Sequence, residues 1–178
     1  MKQTVLKYGL ISGGFFALTM IIMAFVMKSN NFEATEVMGY TIMVIAFIFV
    51  YLSMVSYRNN IGDGYISFGR SISVGLLVVL ISSVCYVIAW MIIYYTMIPD
   101  FIDRYVAHIR EGMIRSGKTA AQMDQAMKEM QMYKDFYKTP WGVAAITFLE
   151  PLPVGVVVTL ISAIIMVIRN KKKTSQTA

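Results

Sequence analysis

The sequence predicts an all-α polytopic membrane protein with four transmembrane helices and an extracytoplasmic amphipathic helical hairpin between the third and the fourth. Three observations predict it. Of the 178 residues, 57% are hydrophobic and only 15% are charged, which is a membrane composition. The charges fall in blocks, leaving four runs, 8–27, 37–57, 71–98 and 141–168, nearly free of them; about 20 helical residues suffice to cross a hydrocarbon core of about 30 Å. Lipid cannot satisfy a bare backbone, and the runs lack the alternation of barrel strands, so each is expected to be a helix. The whole chain, 1–178, reads as a single membrane domain.

The first run follows Lys2 and Lys7. At 20 residues it exceeds the apolar core of a signal peptide, about 7 to 15 residues, and no small-x-small cleavage site follows, so a retained signal anchor is expected. Gly9, Gly13 and Ala17 recur every four residues along it. Small residues at that spacing let helix backbones approach closely. The second run, 37–57, has no such row, which leaves it to face lipid or a partner.

Between the second and third runs stands YRNNIGDGYISFGR, residues 57–70. Gly62-Asp63-Gly64 permits a tight turn with positive φ, and Asp63 lies between Arg58 and Arg70, which can clamp it or bind a phosphate. These three residues are the candidate site for a lipid phosphate or a membrane partner, against the plainer reading of a solvated turn with basic anchors. The third run opens with Ser71 and Gly75, a second small-residue row. It overshoots the membrane, since 20 residues from Ser71 reach Trp90, and Trp90, Tyr94 and Tyr95 are of the aromatic types that settle at headgroups. The lone Cys85 excludes a disulfide framework and fits a packed thiol.

Residues 100–138 resolve into two amphipathic helices. Ile102, Tyr105, Ile109 and Met113 repeat on one face, and Ser116-Gly117-Lys118 ends the pattern. Thr119 with Gln122 forms a capping-box pattern, after which Met123, Met127, Met130 and Tyr137 form a stripe. The hairpin is expected to fold over the outer ends of the third and fourth spans. Met123, Met127, Met130 and Met132, with Met113 and His108 before them, are soft or imidazole ligands suited to monovalent copper. Methionine is also an adaptable filler of apolar surface, and the chain has 15 of them. Packing is the favoured reading, and no metal or cofactor is expected.

The fourth run contains FLEPLPVGVVV, residues 148–158, with a carboxylate and two prolines inside apolar sequence. Pro151 suits a first helical turn, and Glu150 suits the positive end of a helix dipole. Counting 19 residues back from Arg169 at about 1.5 Å each puts Glu150 about 28 Å away, at the outer edge of the hydrocarbon. The final spanning helix is therefore expected to start at Pro151, with 141–149 a separate short helix at the outer surface. An intramembrane proton or cation site at Glu150 is the alternative. Gly155, Thr159 and Ala163 form a third small-residue row.

Orientation follows from basic residues near the helix ends. Lys2, Lys7, Arg58, Arg70, Arg169 and Lys171 to Lys173 fall on one side of a four-span topology, and that side is assigned to the cytoplasm. The loop 99–140 carries seven basic residues, but six acidic ones are mixed among them. The tail at 169–173 can also attract anionic lipid. The net charge of +6 is accounted for at the membrane surface, so lipid rather than nucleic acid is the expected contact.

The run YRNNIGDGYISFGRSISVGLL, the IPDF after the third span, SGKTAAQMDQAM and EPLPVGVVVTLISAIIM resemble the membrane family known as domain of unknown function 4199, abundant in Bacteroidetes. The resemblance covers nearly the whole chain. It implies four spans and an inner-membrane location, it supplies no activity, and it points to envelope assembly as the setting. Such proteins often carry Gln where this chain has Arg70. With no nucleophile beside a base and no ligand cluster, the chain is expected not to be an enzyme. A structural or accessory protein binding a lipid or a membrane partner is the first expectation. A small transporter or flippase using Glu150, as a homo-oligomer, is the second.

Overall fold

The computed structural model describes the backbone of residues 1–28 and 32–176 and the side chains of 1–27 and 37–170. The tail lysines at 171–173 thus lie outside the described side chains. The helices are α1 (Lys2–Lys28), α2 (Phe32–Ala46), α3 (Ile48–Asn60), α4 (Phe68–Thr96), α5 (Phe101–Arg115), α6 (Ala120–Tyr137), α7 (Pro140–Leu149) and α8 (Pro151–Gln176). No strand occurs among the described residues. Four stretches are long and apolar enough to cross a membrane: Lys2–Met27, Val37–Asn60, Phe68–Thr96 and Pro140–Asn170, with mean hydropathy between 2.1 and 2.7. The chain is an all-α, multi-pass membrane protein.

The second span is built from two helices, α2 and α3, that meet at Phe47. Val50 N turns to the Phe47 carbonyl three residues back, at 3.0 Å. The Ala46 carbonyl accepts instead from Ser12 Oγ of α1, also at 3.0 Å. A backbone acceptor released inside lipid must find another donor, and a neighbouring serine supplies it. The break swings the Phe47 ring fully into the core, edge-on to Phe16 with centroids 5.6 Å apart.

Small residues seat the helices against one another. A Cβ added at Gly9 would stand 2.8 Å from Ile81 Cβ, and one at Gly13 would stand 2.5 Å from Cys85 Cβ, so α1 and α4 are in near backbone contact. Gly75 of α4 faces Thr159 of α8 and Met54 of α3, and Gly155 of α8 faces Val79 and Phe47. Ser71 and Ala163 are fully buried in the same seams, while Ala17 is half-buried. The glycine rows are thus occupied within one chain. Packing and interhelical hydrogen bonds, not water, drive this association in lipid.

The two ends of the bundle are closed differently. At the end holding the N-terminus, Arg70 reaches Met1 Sδ at 3.6 Å, and buried Asn170 donates to the Ile66 carbonyl at 2.7 Å, tying α8 to the turn before α4. At the opposite end, α5 and α6 fold back as a hairpin through Gly117, whose φ is +64°, and the Thr119–Gln122 capping box forms in full. Lys134 and Asp103 bridge the two helices at 2.6 Å, and Arg104 donates to the Met27 carbonyl at the end of α1, at 2.7 Å. Trp90 and Tyr94 are buried under this hairpin, against Phe101 and Tyr137 with centroids 4.9 and 5.3 Å apart. Of the three aromatics assigned to the headgroups, only Tyr95 is well exposed. The other two are covered because hairpin rings offer them an aromatic lid.

Candidate functional site

Two places gather polar side chains in an otherwise apolar bundle. The first surrounds Glu150. Thr139 caps α7 by accepting from Gly142 N at 3.1 Å, Pro140 opens the helix, and a Cβ at Gly142 would stand 2.0 Å from the Phe136 carbonyl oxygen. That tight start lays α7 along α4. Glu150 keeps helical dihedrals (φ −59°, ψ −52°) and links α7 to Pro151 at the start of α8. Its Oε2 accepts from the buried Tyr86 hydroxyl at 3.0 Å in a part-buried bond, while Glu150 as a residue is exposed at the flank of the bundle.

The depth of this pair follows from the helices that bear it. Tyr86 stands 10 residues before Thr96 at the end of α4, or about 15 Å at 1.5 Å per residue. It packs edge-on against Phe16, centroids 5.1 Å apart. Buried Thr147, one turn before Glu150, and the Trp90 indole Nε1 lie beside the Tyr137 phenol without closing hydrogen bonds. Burial, with the Glu150 carboxylate adding to it, pushes the Tyr137 phenol up to about 12. The cluster is one carboxylate among three hydroxyls and an indole. It can hold a proton and order water; the partner residues Tyr86, Thr147 and Tyr137 carry no local sequence signal, since they come from three other helical turns.

The second place is the end of the bundle that holds the N-terminus, where Arg70 reaches Met1, Lys2 and Lys7 lie in the first two turns of α1, and Arg58 stands in the last turn of α3; Arg169 lies towards the end of α8. The turn forms as the glycines suggest, with φ +48° at Asp63 and +86° at Gly64. A Cβ at Gly62 would stand 2.1 Å from the Tyr65 carbonyl oxygen, so that position admits only glycine. Of the two roles open to the arginines, the clamp on Asp63 does not form: Arg58 Nε donates to Asn59 at 3.1 Å, Arg70 turns to Met1, and among the described residues no salt bridge joins Asp63 to either. The arginines belong to different helices, α3 and α4, and each finds a nearer acceptor.

Arg169, which carried only a charge-count role in the sequence, has a specific one. Its Nη1 donates to the Tyr51 hydroxyl of α3. Tyr51 lines a lateral groove of about 300 Å³ between the second span and α8, with Val44 and Ile48 on one wall and Val158, Ser162 and Ile165 on the other. Helical register, 44-48-51 and 158-162-165, was the available signal.

Among the described residues no group of three or more His, Cys, Asp or Glu gathers at metal-binding distance. On α6, Met123, Met127 and Met130 are half-buried while Met132 is 54% exposed, because nine positions past Met123 turn it to the opposite face. The four therefore do not share one face.

A family model described as "Protein of unknown function (DUF4199)" matches residues 7–167. No curated protein and no solved structure matches the chain.

Proposed function

The chain belongs to the DUF4199 family, proteins of unknown function, and from that premise we propose a non-enzymatic accessory protein of the inner membrane that holds a lipid or a membrane partner at its basic end. The observation that carries the reading is that Lys2, Lys7, Arg58, Arg70 and Arg169 share one end of the bundle, with a glycine turn whose Asp63 bridges neither Arg58 nor Arg70. The excess of positive charge supports a cytoplasmic side for that end and both termini, where anionic lipid is attracted by about 1 kcal/mol per basic residue near the surface. Envelope assembly is the setting we propose for it.

The test is purification from native membrane in mild detergent, with mass spectrometry of copurifying proteins and lipids and of the intact assembly. A reproducible partner or lipid, weakened by Arg58→Gln or Arg70→Gln, is the expected result. Unchanged envelope composition and unchanged partner association in those variants would sink the proposal.

The Glu150–Tyr86 hydrogen bond favours a second reading, a small homo-oligomeric transporter or flippase whose cycle uses the acid. Isolation as a bare homo-oligomer, together with loss of a proton-linked uptake in Glu150→Gln, is the outcome this reading requires.

A further inference from the structure

We infer that the lateral groove between the second span and α8 is a binding site for a single phospholipid of net negative charge, its hydrocarbon chain along the groove and its phosphate at Arg169 and Arg58. The inference rests on the lipid arm of the proposed function and gives that arm an address.

The groove has the shape of one chain. It runs from Val44 to Tyr51 on one side and from Val158 to Ile165 on the other, seven residues in each case, or about 10 Å at 1.5 Å per residue. Its volume is about 300 Å³. A helix, about 10 Å across, would rest on the groove's rim, whereas a slender alkyl chain lies within it. Phe47, buried where α2 meets α3, forms the floor of the groove between the two walls.

Charge closes one end and leaves the other open. Arg169 follows Ile165 by one helical turn, on the face that lines the groove, and its guanidinium sits on Tyr51 at the groove's end. Arg58 follows Tyr51 by seven residues, two turns on the same face of α3. Both helical rows that wall the groove thus end in an arginine at the basic end of the bundle. Guanidinium groups present paired donors that match phosphate oxygens, and the Tyr51 hydroxyl adds a further polar contact and keeps Arg169 in place. The far end, near Val44 and Val158, has apolar walls. An apolar trough with a cationic head and no acid among its lining residues complements an anionic lipid.

The experiment is native mass spectrometry of the full chain released from nanodiscs of phosphatidylcholine and phosphatidylglycerol in equal amounts. The wild type is expected to retain one phosphatidylglycerol in preference to phosphatidylcholine. Arg169→Gln with Arg58→Gln is expected to cut retention about tenfold or more, the loss from one or more charge-assisted hydrogen bonds. Val158→Trp, which fills the groove and leaves both arginines, is expected to cut it as well. Thermal unfolding of each variant identifies those that fold, and the milder Arg169→Lys serves if the double variant does not. Equal retention of both lipids, retention unchanged in the arginine variants, or displacement by inorganic phosphate as readily as by lipid would each overturn the inference. A wild type that retains no lipid selectively but still copurifies with a membrane partner would remove the groove site and leave the accessory reading standing.

Discussion

Gly13→Ala adds one methyl group, yet it should destabilise the bundle, whereas Gly14→Ala, one residue on, should not. At Gly13 the new Cβ would stand 2.5 Å from Cys85 Cβ and 2.7 Å from its Sγ, while at Gly14 nothing lies within 4 Å. Sγ can rotate away but Cβ cannot, so α1 and α4 must separate locally. Overpacking of this kind costs about 1–3 kcal/mol. Replacing Gly by Ala inside a helix returns up to about 1 kcal/mol at either position. The propensity gain cancels when the two variants are compared, and the difference between them, about 1–3 kcal/mol, is the clash itself. Reversible unfolding in mixed micelles with increasing denaturing detergent measures it. Cys85→Gly, which removes the opposing Cβ, should restore much of the loss in Gly13→Ala, and Cys85→Ala should restore less; a coupling energy between the sites is the expected signature. Variants at 13 and 14 that agree within about 0.5 kcal/mol would refute the close approach of α1 and α4.

Tyr86→Phe removes the donor to Glu150 and should cost about 1–3 kcal/mol in the same unfolding assay, whereas Glu150→Gln, whose amide keeps an acceptor for Tyr86, should cost less; the reverse order would count against the hydrogen bond. Because the Tyr137 phenol is held up at about 12 against an ordinary 10.0, the folded chain keeps that proton longer than the unfolded one. Stability should therefore fall as pH rises from about 10 towards 12, by up to about 2–3 kcal/mol, and Tyr137→Phe should flatten that slope. Thr119→Ala removes the hydroxyl that accepts from Gln122 N at 3.3 Å. It should cost about 1 kcal/mol at the start of α6 and speed hydrogen exchange of the first amides there, with no change in α5.

Features that depend on neighbours in sequence were legible without coordinates. Four apolar runs give four spanning stretches because hydrophobicity over about 20 residues is a local property. Thr119 and Gln122 are three residues apart and form their reciprocal cap; Pro151 opens α8 for the reason a first-turn proline should. The break at Phe47 was not legible, because no Gly or Pro marks it. What makes it tolerable is Ser12, 34 positions away in another helix. The candidate site shows the same division. Glu150 stands out in sequence as an acid in an apolar run, but its partner Tyr86 is 64 positions distant and looks like any aromatic in a span. Arg58, Asp63 and Arg70 stand close along the chain, which left a clamp or a phosphate site open beside a solvated turn, and the separate helices do not make the clamp.

By itself the sequence determined the solvent this protein lives in, the number of its spans and the places where helices can begin and end, since burial in lipid, capping and backbone freedom are decided within a few residues. Only the tertiary structure decided which faces meet: that the glycine rows close on their own chain, that Glu150 meets Tyr86, and that Arg169 lies at the head of an apolar groove with Tyr51. Those outcomes depend on side-chain shape matched across space between helices, and lipid, being as apolar as the helices themselves, gives no pattern along the chain from which the matching could be read.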